Sequence, residues 1–292
     1  MYELRSKQKS AGFARLNISF LYWAMINALI RVFKRYEWFK RLNAKVTYEL
    51  LAKYIPAKDW LFMNYGYIPT TAEPPLQLPA GSTNQLLPLQ MYHFLATRRD
   101  LTQKAVLEVG SGRGGGANYI ATRLQPASYV ALDLAQNAID LSRELYHAPN
   151  LQFVQGSAEA LPFGHDSFDV VVNVESSHAY GNVPNFLSEV KRVLGTGGVL
   201  LLVDFRNQVA GMDLFREQII ASGLKIVSEE NISAQVVKAI EAEDPEKRAR
   251  IEKLVPARWQ KLFGQFAGVV GSPFYCTLKE GTRVYHRFVA EK

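Results

Sequence analysis

The run Val106-Leu107-Glu108-Val109-Gly110-Ser111-Gly112-Arg113-Gly114-Gly115-Gly116 constrains the fold of this chain more than any other segment. A short apolar stretch gives way to glycines and then to the helix-compatible run Ala117–Leu124. Glycine is needed where a chain turns tightly and a ligand must approach the backbone. A helix N-terminus with free N–H groups then favours an anionic group. Strand, glycine turn and helix in that order form the opening unit of a parallel α/β sheet.

The pattern downstream agrees. Short β-branched runs alternate with helical stretches. Strands are expected at Ala105–Val109, Tyr129–Leu132, Leu151–Val154, Asp169–Asn173, Val199–Asp204, Lys225–Glu229 and Val284–Ala290. Helices are expected at Ala117–Leu124, Gln136–Tyr146, Pro184–Leu194 and Leu214–Ser222. Seven strands with intervening helices predict a doubly wound, mostly parallel sheet. Residues 231–280 interrupt the alternation over a span far longer than a usual connection. Helical patterns at Ala234–Glu243, Pro245–Leu254 and Arg258–Phe266 make this stretch a helical cap insertion, expected over one edge of the sheet. Residues 1–100 read as a helical N-terminal region, with a loop from Pro69 to Pro88. Residues 101–292 read as the ligand-binding domain.

Composition narrows the class. The 292-residue chain has ordinary apolar content for a globular protein, so disorder is not the default. A single cysteine, Cys276, excludes an internal disulfide and a cysteine metal cluster, and no metal site is expected. No secretory signal is visible, so a cytoplasmic location is expected. Residues 1–60 carry twelve Lys or Arg against four acids, so the net charge of +7 is concentrated there. Such a segment can be a solvated helical face, a nucleic-acid arm or a membrane-surface contact. No recognised RNA-binding module accompanies it, and nucleic acid is not expected as a partner. The apolar stretch Ile18–Ile30 is too short to span a membrane. Its apolar face can lie at an interface, in the protein's own core or in a homodimer.

Two cofactors could use the glycine turn. Gly110, Gly112 and Gly115 satisfy the dinucleotide fingerprint, and Asp133 lies where a ribose-binding acid belongs. The context favours S-adenosylmethionine (SAM). Glu108 sits two residues before the first glycine, unfavourably for a pyrophosphate. The segments Gly156–Phe163 and Ser167–Asn173 follow, and Arg192–Gly198 is expected to end a helix in a left-handed glycine.

In order and spacing these segments resemble the class I SAM-dependent methyltransferases over residues 100–205. The resemblance implies a Rossmann-like methyltransferase sheet whose last strand is antiparallel. It implies that Gly110, Ser111, Gly112 and Gly114 lie against the methionyl part of SAM. Asp133, with Leu134 beside it, would bind the ribose, although a helix N-cap is its alternative role. Ser157, Ala158 and Glu159 would line the adenine. Asn173, Val174 and Glu175 would lie near the methionine amino group, with Glu108 in the same network. S-adenosylhomocysteine would be the product.

Beyond the fourth strand, Glu175-Ser176-Ser177-His178 places His178 where ligands bind in an open α/β sheet. Its ordinary pKa range suits a general base. Asp204, at the end of strand five, is a candidate partner or second base. Together with Phe62-Met63-Asn64-Tyr65-Gly66-Tyr67 and Asn173–Tyr180, this segment resembles phthiotriol and phenolphthiotriol dimycocerosate O-methyltransferases and cyanobacterial peptide–polyketide O-methyltransferases. That resemblance implies a lid contact for Tyr65 and methylation of a hydroxyl on a hydrophobic secondary metabolite, polyketide or lipid-like acceptor. Trp23, Trp38, Trp60, Trp259 and Phe266 either wall such an acceptor or belong to the core. Two alternatives stand beside this reading: C-methylation of a prenyl diphosphate, and SAM binding without methyl transfer.

Overall fold

The computed structural model describes residues 60–71, 76 and 85–292. The basic segment, the stretch Ile18–Ile30, Trp23 and Trp38 lie outside the described residues. Helix α1 (Leu86–Ala96) opens the continuous part. Strand β1 (Ala105–Val109), α2 (Gly115–Arg123), β2 (Ser128–Asp133), α3 (Gln136–Leu145) and β3 (Leu151–Gln155) form the first half. Then come β4 (Phe168–Val174), α4 (Val183–Val193), β5 (Leu194–Asn207), α5 (Val209–Ala221) and β6 (Lys225–Asn231). Helices α6 (Ser233–Leu254), α7 (Ala257–Phe266) and α8 (Pro273–Lys279) precede β7 (Arg283–Glu291).

The seven strands lie in the order β3-β2-β1-β4-β5-β7-β6. Strand β7 alone runs antiparallel, between β5 and β6. All seven expected strands form, most extended by a residue or two at their ends. Side chains alternate across the sheet. Val170, Val172, Leu201, Val203 and Val289 join one core, beneath α1, α2, α6 and α8. Leu107, Val109, Val171, Leu200, Leu202 and Phe288 join the other, beneath α4 and α5. Each fully buried Val or Leu contributes about 1.5–3 kcal/mol, so the two cores fix both faces.

Three expectations change. The cap insertion covers a face of the sheet, not an edge: Val236, Ile240, Phe274 and Leu278 bury against Val203, Tyr285 and their neighbours. Helices α6 and α8 thereby cover the apolar residues of β7 on this face. Pro245 does not divide the insertion's first helix; α6 runs through it. Contacts of the turn that precedes it hold the helix there. The Glu241 carboxylate accepts from the Tyr275 hydroxyl at 2.6 Å and Lys279 Nζ at 2.7 Å, and Asp244 Oδ1 accepts from the Val270 amide at 2.7 Å. Finally, α4 ends at Val193 without a glycine, its Leu194 cap being extended. The left-handed glycine is Gly197, inside the opening of β5.

The loop expected up to Pro88 is also shorter, because α1 begins at Leu86. Proline fits a first turn, whose N–H groups lack intrahelical partners. Helices α1 and α2 approach closely at Gly116, where a Cβ would overlap the ring of Tyr92. No helix among the described residues is long and apolar enough to cross a membrane.

Candidate functional site

The chain leaves β1 and β4 toward opposite faces of the sheet, and these adjacent strands form its switch point. Ligands of open α/β sheets bind in the crevice opened there. Asn173 fastens the two strand ends: its side-chain amide donates to the Val109 carbonyl at 2.9 Å and to Ser176 Oγ at 2.8 Å. Two residues on, Glu175 has a left-handed φ of 46°. That conformation costs a non-glycine residue on the order of 1 kcal/mol and directs its side chain between the two cavities described below.

The larger cavity, about 470 Å³, is floored by Gly110–Arg113 and walled by Asp133, Leu134, Ser157–Glu159 and Val174–Ser176. Asp133 Oδ2 accepts from the Gly112 amide at 2.8 Å, and its Oδ1 accepts from Ala135 at 2.9 Å. The carboxylate therefore both braces the glycine turn and closes the turn that leads into α3. Glu159 Oε1 accepts from the Gly181 and Asn182 amides at 2.9 and 3.1 Å, tying the loop before β4 to the start of α4.

A smaller cavity of about 90 Å³ adjoins it. Phe62, Met63, Asn64, Arg113 and Glu175 line both. The segment from Trp60 to Tyr67 crosses the site and is pinned by side chains. Gln85 Oε1 accepts from the Leu61 amide at 3.0 Å, Asn64 Nδ2 donates to the Pro88 carbonyl at 3.1 Å, and Glu175 Oε1 accepts from the Tyr65 amide at 2.8 Å. Burial pushes the Glu175 carboxyl up to about 8 against the lowering effect of hydrogen bonds from the Tyr285 hydroxyl and the Tyr65 amide. Burial also draws the Arg113 guanidinium down to about 10.

His178 faces the smaller cavity. Its Nδ1 lies 2.8 Å from Asp204 Oδ1, and its ring packs 4.2 Å from that of Phe205. Asp204 has no exposed surface. Burial would raise its carboxyl, but the His178 and Arg206 charges, with hydrogen bonds from His178 and Ser177, hold it well below the usual carboxylate range. An ionised carboxylate only accepts, so Nδ1 carries a proton, and in the neutral imidazole Nε2 keeps a lone pair. Such a dyad can accept a proton.

Ten of the expected cofactor residues meet at the larger cavity: Gly110, Ser111, Gly112, Asp133, Leu134, Ser157, Ala158, Glu159, Val174 and Glu175. Four do not. Glu108 is buried behind the turn, where Tyr92 and Tyr129 hydroxyls donate to its two oxygens at 2.9 Å each. Gly114 caps α2 with φ 76° and abuts Phe153 and Ser142. Asn173 lies beneath the floor. Tyr65 lines the smaller cavity instead, its ring stacked 3.8 Å from Phe274. Trp60 is buried against Phe263, whereas Trp259 and Phe266 on α7 are exposed and not core. The sequence reading passed over Arg113, although a charge amid glycines was a visible signal. It also passed over Glu243, Lys247 and Arg250, whose spacing places them on one face of α6.

Sheet order and switch-point crevice define a Rossmann-like nucleotide-cofactor fold. A family model described as a methyltransferase domain matches residues 107–202. A probable phthiotriol/phenolphthiotriol dimycocerosates methyltransferase 2 of Mycobacterium ulcerans is 39% identical over 233 residues, covering 78% of this chain and 88% of the relative. A fatty-acid O-methyltransferase of Mycolicibacterium smegmatis is 34% identical over 277 residues, covering 91% of this chain and 97% of the relative. The crystal structure of the [4+2]-cyclase SpnF shares the fold with a TM-score of 0.66 at 18% identity, covering 85% of this chain and 94% of that one. The chain belongs to the SAM-dependent methyltransferase family.

Proposed function

We propose that the protein methylates a hydroxyl of a hydrophobic, lipid-like acceptor, with SAM in the larger cavity and the acceptor hydroxyl in the smaller one. The observation that carries this reading is the His178–Asp204 pair, at 2.8 Å, facing the cavity beside the glycine turn. The residues present fit SAM. The larger cavity falls within the roughly 300–1,000 Å³ of ordinary ligand pockets. Ser111 Oγ is buried there without a hydrogen-bond partner among the described residues. A Cβ on Gly112 would stand in the cavity with Met63 as its only neighbour within 4 Å among the described residues, so the backbone is open to a ligand.

Gly110, Ser111 and Gly112 would hold the methionyl part, Asp133 the ribose hydroxyls, and Ser157–Glu159 the adenine. When bound, SAM supplies an electrophilic methyl carbon. The chain's own residues supply the rest. Phe62, Met63 and Glu175 form the common wall and exclude water from the reacting atoms. His178 takes the hydroxyl proton at Nε2, and Asp204 stabilises the imidazolium that forms. An aliphatic hydroxyl needs such a base because it is scarcely ionised near neutrality. The names of the mycobacterial relatives, one for dimycocerosates and one for fatty acids, support a lipid-like acceptor.

The test is methyl transfer from SAM to a panel of long-chain secondary alcohols and hydroxylated polyketides, with the product analysed by mass spectrometry. A methyl ether formed by the wild type and lost in His178→Ala supports the reading. A methyl–carbon product from a prenyl diphosphate would overturn it.

A further inference from the structure

Helix α6 changes character along one face. Val236, Ala239 and Ile240 are buried at its start, and the same side then buries Glu243, Lys247 and Arg250. These three are 5%, 4% and 8% exposed and line the smaller cavity. Long charged side chains are seldom buried so deeply unless closely paired. Here the pairing is loose. Lys247 Nζ lies 3.5 Å and Arg250 Nη1 3.9 Å from the Glu243 carboxylate. Both are well beyond the roughly 2.7–2.9 Å of a charge-assisted hydrogen bond. Neither Glu243 oxygen has a hydrogen-bond partner among the described residues. Ring faces flank the two cations, Tyr65 at 5.9 Å from Lys247 and Trp60 at 5.3 Å from Arg250, and the charge of Lys247 also acts on the Glu175 carboxyl across the cavity.

Two buried cations thus share one carboxylate that satisfies neither, at the wall of a cavity that also holds Arg113. Buried ions are retained at a desolvation cost unless partners complete their hydrogen bonds. An anion entering the cavity would complete them. The cavity, at about 90 Å³, lies well under the roughly 300 Å³ of a typical small-ligand pocket, so it suits a polar end and not a whole lipid.

We propose that Lys247 and Arg250 form a recognition site for an anionic group, carboxylate or phosphate, carried by the acceptor in addition to the hydroxyl placed at His178. The proposal rests on reading the smaller cavity as the acceptor site. It makes the substrate a hydroxylated amphiphilic acid rather than a neutral alcohol. Glu243 holds the two cations apart and prevents them from repelling each other before the acceptor binds.

Binding of dodecanoate, dodecyl phosphate and dodecanol to the full chain saturated with S-adenosylhomocysteine, followed by calorimetry, tests this without methyl transfer. At least one anion should bind at least about tenfold more tightly than dodecanol, as expected for a charged hydrogen-bonded contact. The tighter of the two anions identifies the group. The preference should vanish in Lys247→Met and weaken in Arg250→Gln, with thermal melting confirming that each variant folds. Equal affinity for all three, or no binding of any, overturns the site on the wild type alone. A preference that survives both substitutions also overturns it. An intact preference without methylation of any hydroxyl would instead overturn the proposed reaction and leave this site standing.

Discussion

His178 Nδ1 and Asp204 Oδ1 lie 2.8 Å apart across the gap between the β4 exit and β5. The Asp204 carboxylate also accepts from the His178 amide at 2.8 Å, Ser177 Oγ at 2.6 Å and the Phe205 amide at 2.8 Å. All four donors demand an ionised acceptor. One buried carboxylate therefore fixes both the backbone turn that carries His178 and the tautomer of its ring.

Asp204→Asn should be doubly damaging. Its amide would present hydrogens to groups that already donate, so roughly 3–5 kcal/mol of stability should be lost, as for a broken buried charge pair. The imidazole would also lose the partner that holds the proton on Nδ1. Denaturant unfolding and turnover together check this. A fully stable Asp204→Asn protein with wild-type turnover would contradict it.

Gly112→Ala separates folding from cofactor binding. Its φ of 54° costs an alanine about 1 kcal/mol, and the new methyl meets only Met63, at 3.8 Å. The variant should fold but lose at least about tenfold in affinity for S-adenosylhomocysteine, because its methyl occupies the approach to the backbone. Unchanged affinity by calorimetry would remove the glycine turn from the cofactor site.

Glu108 predicts a pH dependence of stability. Burial raises its carboxyl from the ordinary 4.5 to about 7, despite the donors Tyr129 and Tyr92. The folded state therefore keeps a proton that the unfolded chain releases between these values. Its contribution is fully present below about pH 4.5 and is lost as pH rises through about 7. The slope from this one group reaches at most about 1.4 kcal/mol per pH unit. Urea titrations from pH 5 to 8 should show a shallower fall in Glu108→Gln than in the wild type. An identical slope in both proteins would assign the effect elsewhere.

The β strands and most of the larger cavity were legible because their signals are local. Periodicity marks the strands, and the glycine turn, Asp133 and Ser157–Glu159 follow one another at fixed strand ends. The hydrogen bonds of Glu108 were not legible, because its partners, Tyr92 and Tyr129, are distant in sequence and only the fold brings their hydroxyls to it. The cavity that Tyr65 lines was not legible for a related reason: its position is set by Glu175 and Phe274, far along the chain. Pro245 read as a helix break because local rules price the missing N–H, whereas Tyr275, Lys279 and Val270 supply the compensating contacts. The ionic face of α6 was legible as spacing, but its burial was not.

The central claim is that His178 removes the proton of the acceptor hydroxyl. Single-turnover methyl transfer by His178→Ala, with cofactor and acceptor saturating, tests it most directly. The rate should fall by roughly 10²–10⁴-fold, with S-adenosylhomocysteine affinity unchanged, since His178 does not line the larger cavity. A His178→Ala enzyme that forms the methyl ether at the wild-type rate would contradict it.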